Sequence, residues 1–416
     1  MLPAFPTLRR KLDLFPCLSL ALLALAGGCA KPELVRSPTQ VVSYLADGDA
    51  QLVQSVPQGT ELLDPTLPTT QLVWIEMIRS AKRTIDWACF YVASSRGQAL
   101  DPVLSELSQA AARGVRVRMI FDKQMAKTDP QALAFLLRMP GAAIRVLDFN
   151  LIATGSHHAK YLVVDGRELF LGSQNFDWRS LSQIHELGVR LAQPHIVGQL
   201  AFLFEMDFAL AQDRNDTLES NPPVLPRGPT PEIEVGISPP QLTPDGIRPA
   251  LPVLLDMIRG AKSTLSIQLL RYSAHSGSDH WDTLEEALLM AASRGVKVQL
   301  LVSNWSIQTP EIDDLKKLSQ VPNIEVRIAS IPELPGQFIP YARVIHSKYA
   351  VADEHQLWLG TTNWERGMFM ASRNVDAVFR RPVLAKQAQQ IFNRLWKSSY
   401  SAPVDPSKDY VPPRVR

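Results

Sequence analysis

Apolar residues along this chain follow two alternating periods. Helical spacing runs through Leu72 to Ala81, and a strand-like apolar run follows from Thr84 to Val92. Helical spacing returns from Pro102 to Arg113, stops at Gly114, and gives way to a second apolar run, Val115 to Phe121. The same succession reappears as Val253–Ala261, Thr264–Tyr272, Thr283–Arg294 with its stop at Gly295, and Val296–Val302. Strands alternating with helices predict an α/β protein.

The two halves also match in letters. Met77-Ile78-Arg79-Ser80-Ala81-Lys82 recurs as Met257-Ile258-Arg259-Gly260-Ala261-Lys262, and His158-Ala159-Lys160 recurs as His346-Ser347-Lys348. Ordered matches whose offset grows slowly mean a duplicated domain with loop insertions, not a short-period solenoid. The expected organisation is an export segment at 1–28, a tether at 29–50, a first repeat at 51–220 and a proline-rich linker at 221–250. A second repeat at 251–402 and a tail at 403–416 complete it.

Composition narrows the class. With 46% hydrophobic and 20% charged residues the chain is globular. Its formal charge is +2, and Arg9, Arg10 and Lys11 against Asp13 account for all of it. The remainder is neutral and lacks the basic footprint of many nucleic-acid binders. Those basic residues precede an apolar stretch, Phe15–Ala26, that is shorter than the roughly 20 residues a membrane span needs, so the segment reads as an export signal. Ala26-Gly27-Gly28-Cys29 resembles a bacterial lipobox, although the usual leucine is displaced to Leu25. Acylation at Cys29 predicts an exported lipoprotein of the cell envelope, with the outer membrane as destination. Plain secretion, or retention as an uncleaved anchor, are the other outcomes. Cys17 lies in the signal, so Cys89 stands alone in the mature body, inside an apolar run that predicts a buried, inert thiol.

The chemistry lies in one pattern that occurs twice. His158-x-Lys160-x4-Asp165-x6-Gly172-Ser173-x-Asn175 is matched by His346-x-Lys348-x4-Asp353-x6-Gly360-Thr361-x-Asn363. One copy arises by chance on the order of once in 10⁵ such chains. His and Lys two apart ahead of a strand share a face. Asp165-Gly166 then reads as a hairpin turn into Glu168–Leu171. In-line displacement at phosphorus needs a nucleophile and an acid on opposite sides, and each copy holds one motif histidine. Two copies facing each other supply both. Lys160, Lys348, Asn175 and Asn363, with Ser173 and Thr361, can hold phosphate oxygens, so neither a metal nor another cofactor is required.

These motifs resemble the two HKD motifs of the phospholipase D superfamily, and the resemblance spans nearly the whole mature chain. It implies a mixed sheet flanked by helices in each half and one active site between the halves. It also implies a phosphodiesterase that hydrolyses or transfers a phosphodiester through a phosphohistidine, with His158, Lys160, Asp165, His346, Lys348 and Asp353 as the catalytic set. Attack is assigned to His158 and acid/base work to His346, with the reverse left open. Glu186 and Asp376 match the family's acidic orienters of the histidines. Gly172-Ser173-Gln174-Asn175-Phe176-Asp177-Trp178-Arg179-Ser180-Leu181 is similar to the animal lysosomal and poxvirus envelope branch. That branch includes single-strand 5′ exonucleases and members linked to phospholipid metabolism. Substrate therefore stays open between a phospholipid head group, slightly favoured by the membrane tether, and single-stranded nucleic acid. Complete motifs argue against a lipoprotein that only binds phosphate ligands. His157 is expected in packing or behind the site, Asp165 and Asp353 have a structural turn role as their other reading, and Trp178 is expected in the core or site wall. His185, His195, His275, His280 and His355 have no partner pattern.

Overall fold

The computed structural model describes residues 49–211, 224–227, 230, 232–276 and 279–416. The export segment, Cys29 and nearly all of the expected tether lie outside them. The first sheet contains β1 (Ala50–Ser55), β2 (Thr84–Ala88), β3 (Arg116–Asp122), β4 (Ala142–Leu147), β5 (Tyr161–Val164), β6 (Glu168–Gly172) and β7 (Glu186–Leu191), in the order β1-β7-β6-β5-β2-β3-β4. The second contains β8 (Ile233–Ser238), β9 (Arg248–Pro249), β10 (Thr264–Leu269), β11 (Lys297–Ser303), β12 (Ile324–Ala329), β13 (Lys348–Ala352), β14 (Gln356–Gly360), β15 (Asn374–Phe379) and β16 (Ser401–Pro403). Its order is β9-β8-β15-β14-β13-β10-β11-β12-β16. Both sheets are mixed. β2, β3 and β4 run parallel, as do β10, β11 and β12, while the motif hairpins β5–β6 and β13–β14 add antiparallel.

Strand residues alternate between two cores. Tyr161 and Val163 join Tyr349, Val351, Leu359 and Val375 in one buried cluster shared by both repeats. Leu162 and Val164 face the other way, against Trp74, Met77, Val103 and Leu107 of the helices Thr70–Ser80 and Asp101–Ala112. The helices Ala250–Gly260 and Thr283–Ser293 cover the second sheet likewise. Because both faces are covered, the strands read as continuous apolar runs. Each fully buried aliphatic or aromatic side chain stabilises the fold by about 1.5–3 kcal/mol.

Three expected boundaries need correction. The proline-rich stretch is not a linker throughout: Ile233–Ser238 forms β8, antiparallel to β15, as β1 is to β7. Ile233, Val235 and Ile237 enter the shared core, and Pro239 and Pro240 follow the strand, where they break no ladder. The tether ends before Ala50, which already pairs with Leu191. The tail is bound, since β16 pairs with β12 and Tyr341 N–H donates to Val415 O at 2.9 Å. The runs ending at Val92 and Tyr272 also stop early, at Ala88 and Leu269. There the chain turns toward the motif loops, where Val92 pairs with Phe176 and Tyr272 with Trp364.

Candidate active site

His158 and His346 stand just ahead of β5 and β13, and neither is placed by its own repeat alone. The His158 N–H donates to Arg373 O and the Arg373 N–H to Ser156 O, both at 2.9 Å. Across the pseudo-twofold, the N–H groups of His346 and Ser347 donate to His185 O at 2.9 and 3.1 Å, and the His185 N–H donates to Val344 O at 3.0 Å. Each histidine is thus held beside the residue that follows the bridging one in the other repeat. Those residues are Asn374 and Glu186. His158 Nδ1 lies 2.8 Å from Asn374 Oδ1, and His346 Nδ1 lies 2.9 Å from both Glu186 oxygens.

The second orienter is therefore Asn374, which corrects the expectation of Asp376. Ladder register makes Glu186 and Asn374 equivalents, for Ser55 faces Glu186 as Ser238 faces Asn374. Asp376 corresponds to Gly188, opposite the motif glycine, and its carboxylate accepts from the N–H groups of Thr361 and Thr362 and from the Thr362 hydroxyl. It braces the motif loop. Ser173 and Thr361 are corrected as well. Ser173 Oγ donates to Glu186 Oε2 at 2.6 Å and Thr361 Oγ1 to Asn374 Oδ1 at 2.9 Å, so both hydroxyls hold the orienters instead of phosphate. Ser180, unremarked in the sequence, donates to Glu186 Oε1 at 2.9 Å.

Hydrogen-bond accounting fixes one tautomer. Asn374 Nδ2 donates to Met368 O at 2.9 Å, so its Oδ1 faces His158 and accepts from Nδ1–H. Nε2 of His158 then carries the lone pair. Burial, with Lys160 and Lys348 nearby, pushes His158 well below the usual histidine range and keeps it neutral. Burial raises Glu186 to about 7, while burial and the two lysines lower His346. Glu186 and His346 therefore share one extra proton near neutrality. Carboxylate with imidazolium and carboxylic acid with imidazole both put a hydrogen on His346 Nε2. The two histidines, alike in sequence, differ in what Nδ1 faces, a neutral amide for His158 and a titratable carboxyl for His346.

The lysines lie within the same buried set. Lys160 Nζ donates to His158 O at 2.7 Å and Lys348 Nζ to His346 O at 2.5 Å. Burial lowers Lys160 well below its ordinary value and Lys348 to about 7. Phe90 stands edge-on to His158 at 4.6 Å and 4.9 Å from Lys160 Nζ, forming a wall. The side-chain oxygens of Asn175 and Asn363 are buried without a hydrogen-bond partner, in both repeats alike. Among the described residues no group of three or more His, Cys, Asp or Glu is arranged to hold a metal.

Asp165 and Asp353 leave the catalytic set. They sit at the far ends of β5 and β13 with φ of 54° and 55°, followed by Gly166 at 63° and Glu354 at 55°, and open a three-residue hairpin loop in each case. The Asp165 carboxylate accepts from the N–H groups of Lys82, Arg83 and Thr84, and that of Asp353 from Lys262, Ser263 and Thr264. Each welds the hairpin tip to the turn entering the neighbouring strand. Asp165→Ala should lower unfolding free energy by about 1 kcal/mol, as loss of a backbone cap does, with kcat retained. A kcat loss of about 100-fold in a folded protein would return it to the chemistry.

His157, His185, Trp178 and Cys89 lie around the site or in the core. His157 is fully buried; its Nε2 lies 3.3 Å from Asp207, which forms a two-pronged ion pair with Arg373. His185, read as ordinary, supplies the carbonyl that holds His346. Trp178 is half-buried between two apolar clusters. Burial raises the Cys89 thiol, which suits an inert core residue.

The profile of the family described as "Cardiolipin synthase, PLD-like domain" matches residues 74–208 and 254–396, once in each repeat. The chain belongs to the phospholipase D superfamily. It is 31% identical over 391 residues to "Phospholipase D Z" of Dictyostelium discoideum, covering 86% of this chain and 91% of that one. It is 30% identical over 404 residues to "5'-3' exonuclease PLD3" of Homo sapiens, covering 87% and 82%. The phosphatidylserine synthase of Haemophilus influenzae superposes with a TM-score of 0.59 at 12% identity, over 80% of this chain and 85% of that one, which shows the shared fold. As a superfamily member the protein is a phosphodiesterase.

Proposed function

We propose that the protein hydrolyses a terminal phosphodiester through a phosphohistidine on His158, with a phospholipid head group as substrate. The cross-paired histidines carry this reading: one is fixed neutral with a free Nε2, and the other holds a proton on Nε2. His158 Nε2 attacks phosphorus, the P–O bond to the leaving group breaks, and the departing oxygen takes the proton from His346 Nε2. The phosphorylated ring keeps its Nδ1–H on Asn374 Oδ1. His346, now a base, takes a proton from water; the water oxygen attacks phosphorus, and the P–N bond breaks to restore His158. The balance is diester plus water to monoester plus alcohol. Lys160, Lys348, Asn175 and Asn363 are the groups proposed to face the nonbridging oxygens.

The histidines are only 6% and 8% exposed, which favours a diester at the end of a molecule over one inside a long polymer. An acylated Cys29 would hold the site at a membrane surface, among phosphatidyl lipids. The second reading, a single-strand 5′ exonuclease, draws on the likeness to the relative named for that activity. Purified protein in excess EDTA should release head groups from phosphatidyl lipids faster than it shortens a 5′-hydroxyl oligonucleotide. The opposite preference would favour the exonuclease. Complete loss of activity in EDTA, restored by one metal, would overturn the two-histidine mechanism.

A further inference from the structure

Two residues beyond each motif asparagine stands an acid, Asp177 in the first repeat and Glu365 in the second. Their N–H groups donate to Asn175 O and Asn363 O at 2.8 and 2.9 Å, so the two positions are equivalent. Asp177 is closed off. Tyr91 Oη donates to it at 2.9 Å, and the Arg179 guanidinium spans both oxygens, with Nε at 3.0 Å from each. Register supplies the counterparts. Val92 pairs with Phe176 as Tyr272 pairs with Trp364, so Tyr91 corresponds to Arg271 and Arg179 to Gly367.

The second repeat therefore keeps the acid and lacks the guanidinium that caps it. A Cβ at Gly367 would meet no atom within 4 Å, so the vacated place is open space. Among the described residues the Glu365 carboxylate makes no hydrogen bond and no ion pair, although Arg271 and Lys348 lie within electrostatic reach. Burial raises its carboxyl. This half-buried acceptor with no donor stands in the repeat that supplies the proton-donating histidine, within electrostatic reach of that repeat's Lys348.

We propose that Glu365 is a specificity-determining residue that accepts a hydrogen bond from a hydroxyl or ammonium on the leaving group, in the space opened by Gly367. This rests on the proposed role of His346 as the acid. Substrates without the donor leave the carboxylate unpaired and should be disfavoured by about ten- to a hundredfold in kcat/KM.

Matched pairs test it on the full-length protein. Phosphatidylethanolamine carries N–H donors that phosphatidylcholine lacks; thymidylyl-thymidine carries a 3′-hydroxyl on its leaving nucleoside that the 3′-deoxy analogue lacks. In whichever pair is turned over, the donor-bearing member should lead by about tenfold or more. Glu365→Gln and, independently, Gly367→Arg, which restores the cap seen on Asp177, should both bring the ratio toward one. A wild-type ratio near one, or a ratio unmoved in both variants, overturns the role of Glu365. Turnover of bis(p-nitrophenyl) phosphate but of neither pair does the same. Failure on all of these diesters would instead overturn the phosphodiesterase reading beneath it.

Discussion

His158→Ala and His346→Ala should each lower turnover of a natural diester by about 10⁴-fold or more, with the double variant scarcely worse than either single one. Residues that act as one unit are grossly non-additive. Each also lies within the interface that holds the repeats together, so folding must be checked by thermal unfolding. The rings reach across the repeats to Asn374 and Glu186, but the backbone bonds between the repeats do not depend on them, and both variants should remain folded. The informative comparison uses a ³²P-labelled p-nitrophenyl diester, whose leaving group departs without a proton. His346→Ala should then take up label on His158 and stall, because no base remains to activate water. His158→Ala should take up none. Label on His346 in the His158→Ala protein, with none in the reverse variant, would exchange the two roles.

The sequence displayed the machinery of this site but not its asymmetry. Two six-position motifs at matched places made the paired histidines and lysines legible without coordinates. Asn374 is no acid and so does not show itself as an orienter, while Asp376, the nearest acid, does. The readable signal was spacing: Glu186 follows Asn175 by the same eleven residues that separate Asn374 from Asn363. β8 was hidden because proline density outweighed the alternation of Ile233, Val235 and Ile237. The contacts that set the histidines had no local trace at all. His158 bonds to Arg373, more than two hundred residues away, through backbone atoms every residue possesses. Asp165, a candidate both as turn and as catalyst, belongs to the turn: its positive φ is local to the hairpin, while its three backbone donors come from residues more than eighty positions earlier.

That asymmetry predicts how activity responds to pH and to leaving group. Glu186, raised to about 7, shares its extra proton with His346, so His346 Nε2 carries a hydrogen below about pH 7 and loses it above. Lys348, lowered to about 7, loses its charge over the same range. His158, pushed well below its ordinary value, is neutral throughout. Activity on diesters with alkyl leaving groups should therefore be high on the acid side of neutrality and fall as pH rises through about 7. In Glu186→Gln the amide oxygen can still accept from His346 Nδ1–H, but the extra proton is gone and His346 becomes an electrostatic copy of His158. Loss of general-acid help costs about 10²–10⁴-fold, so kcat on alkyl diesters should drop by that order. Formation of the phosphohistidine from p-nitrophenyl diesters, which needs no acid, should drop far less. Glu186 also supports the charge on Lys348, so what activity remains should decline from a lower pH than in the wild type. Equal losses on alkyl and p-nitrophenyl diesters, with the pH profile unmoved, would mean that Glu186 only orients its histidine. The carboxyl behind one histidine and the amide behind the other would then have no part in dividing their roles.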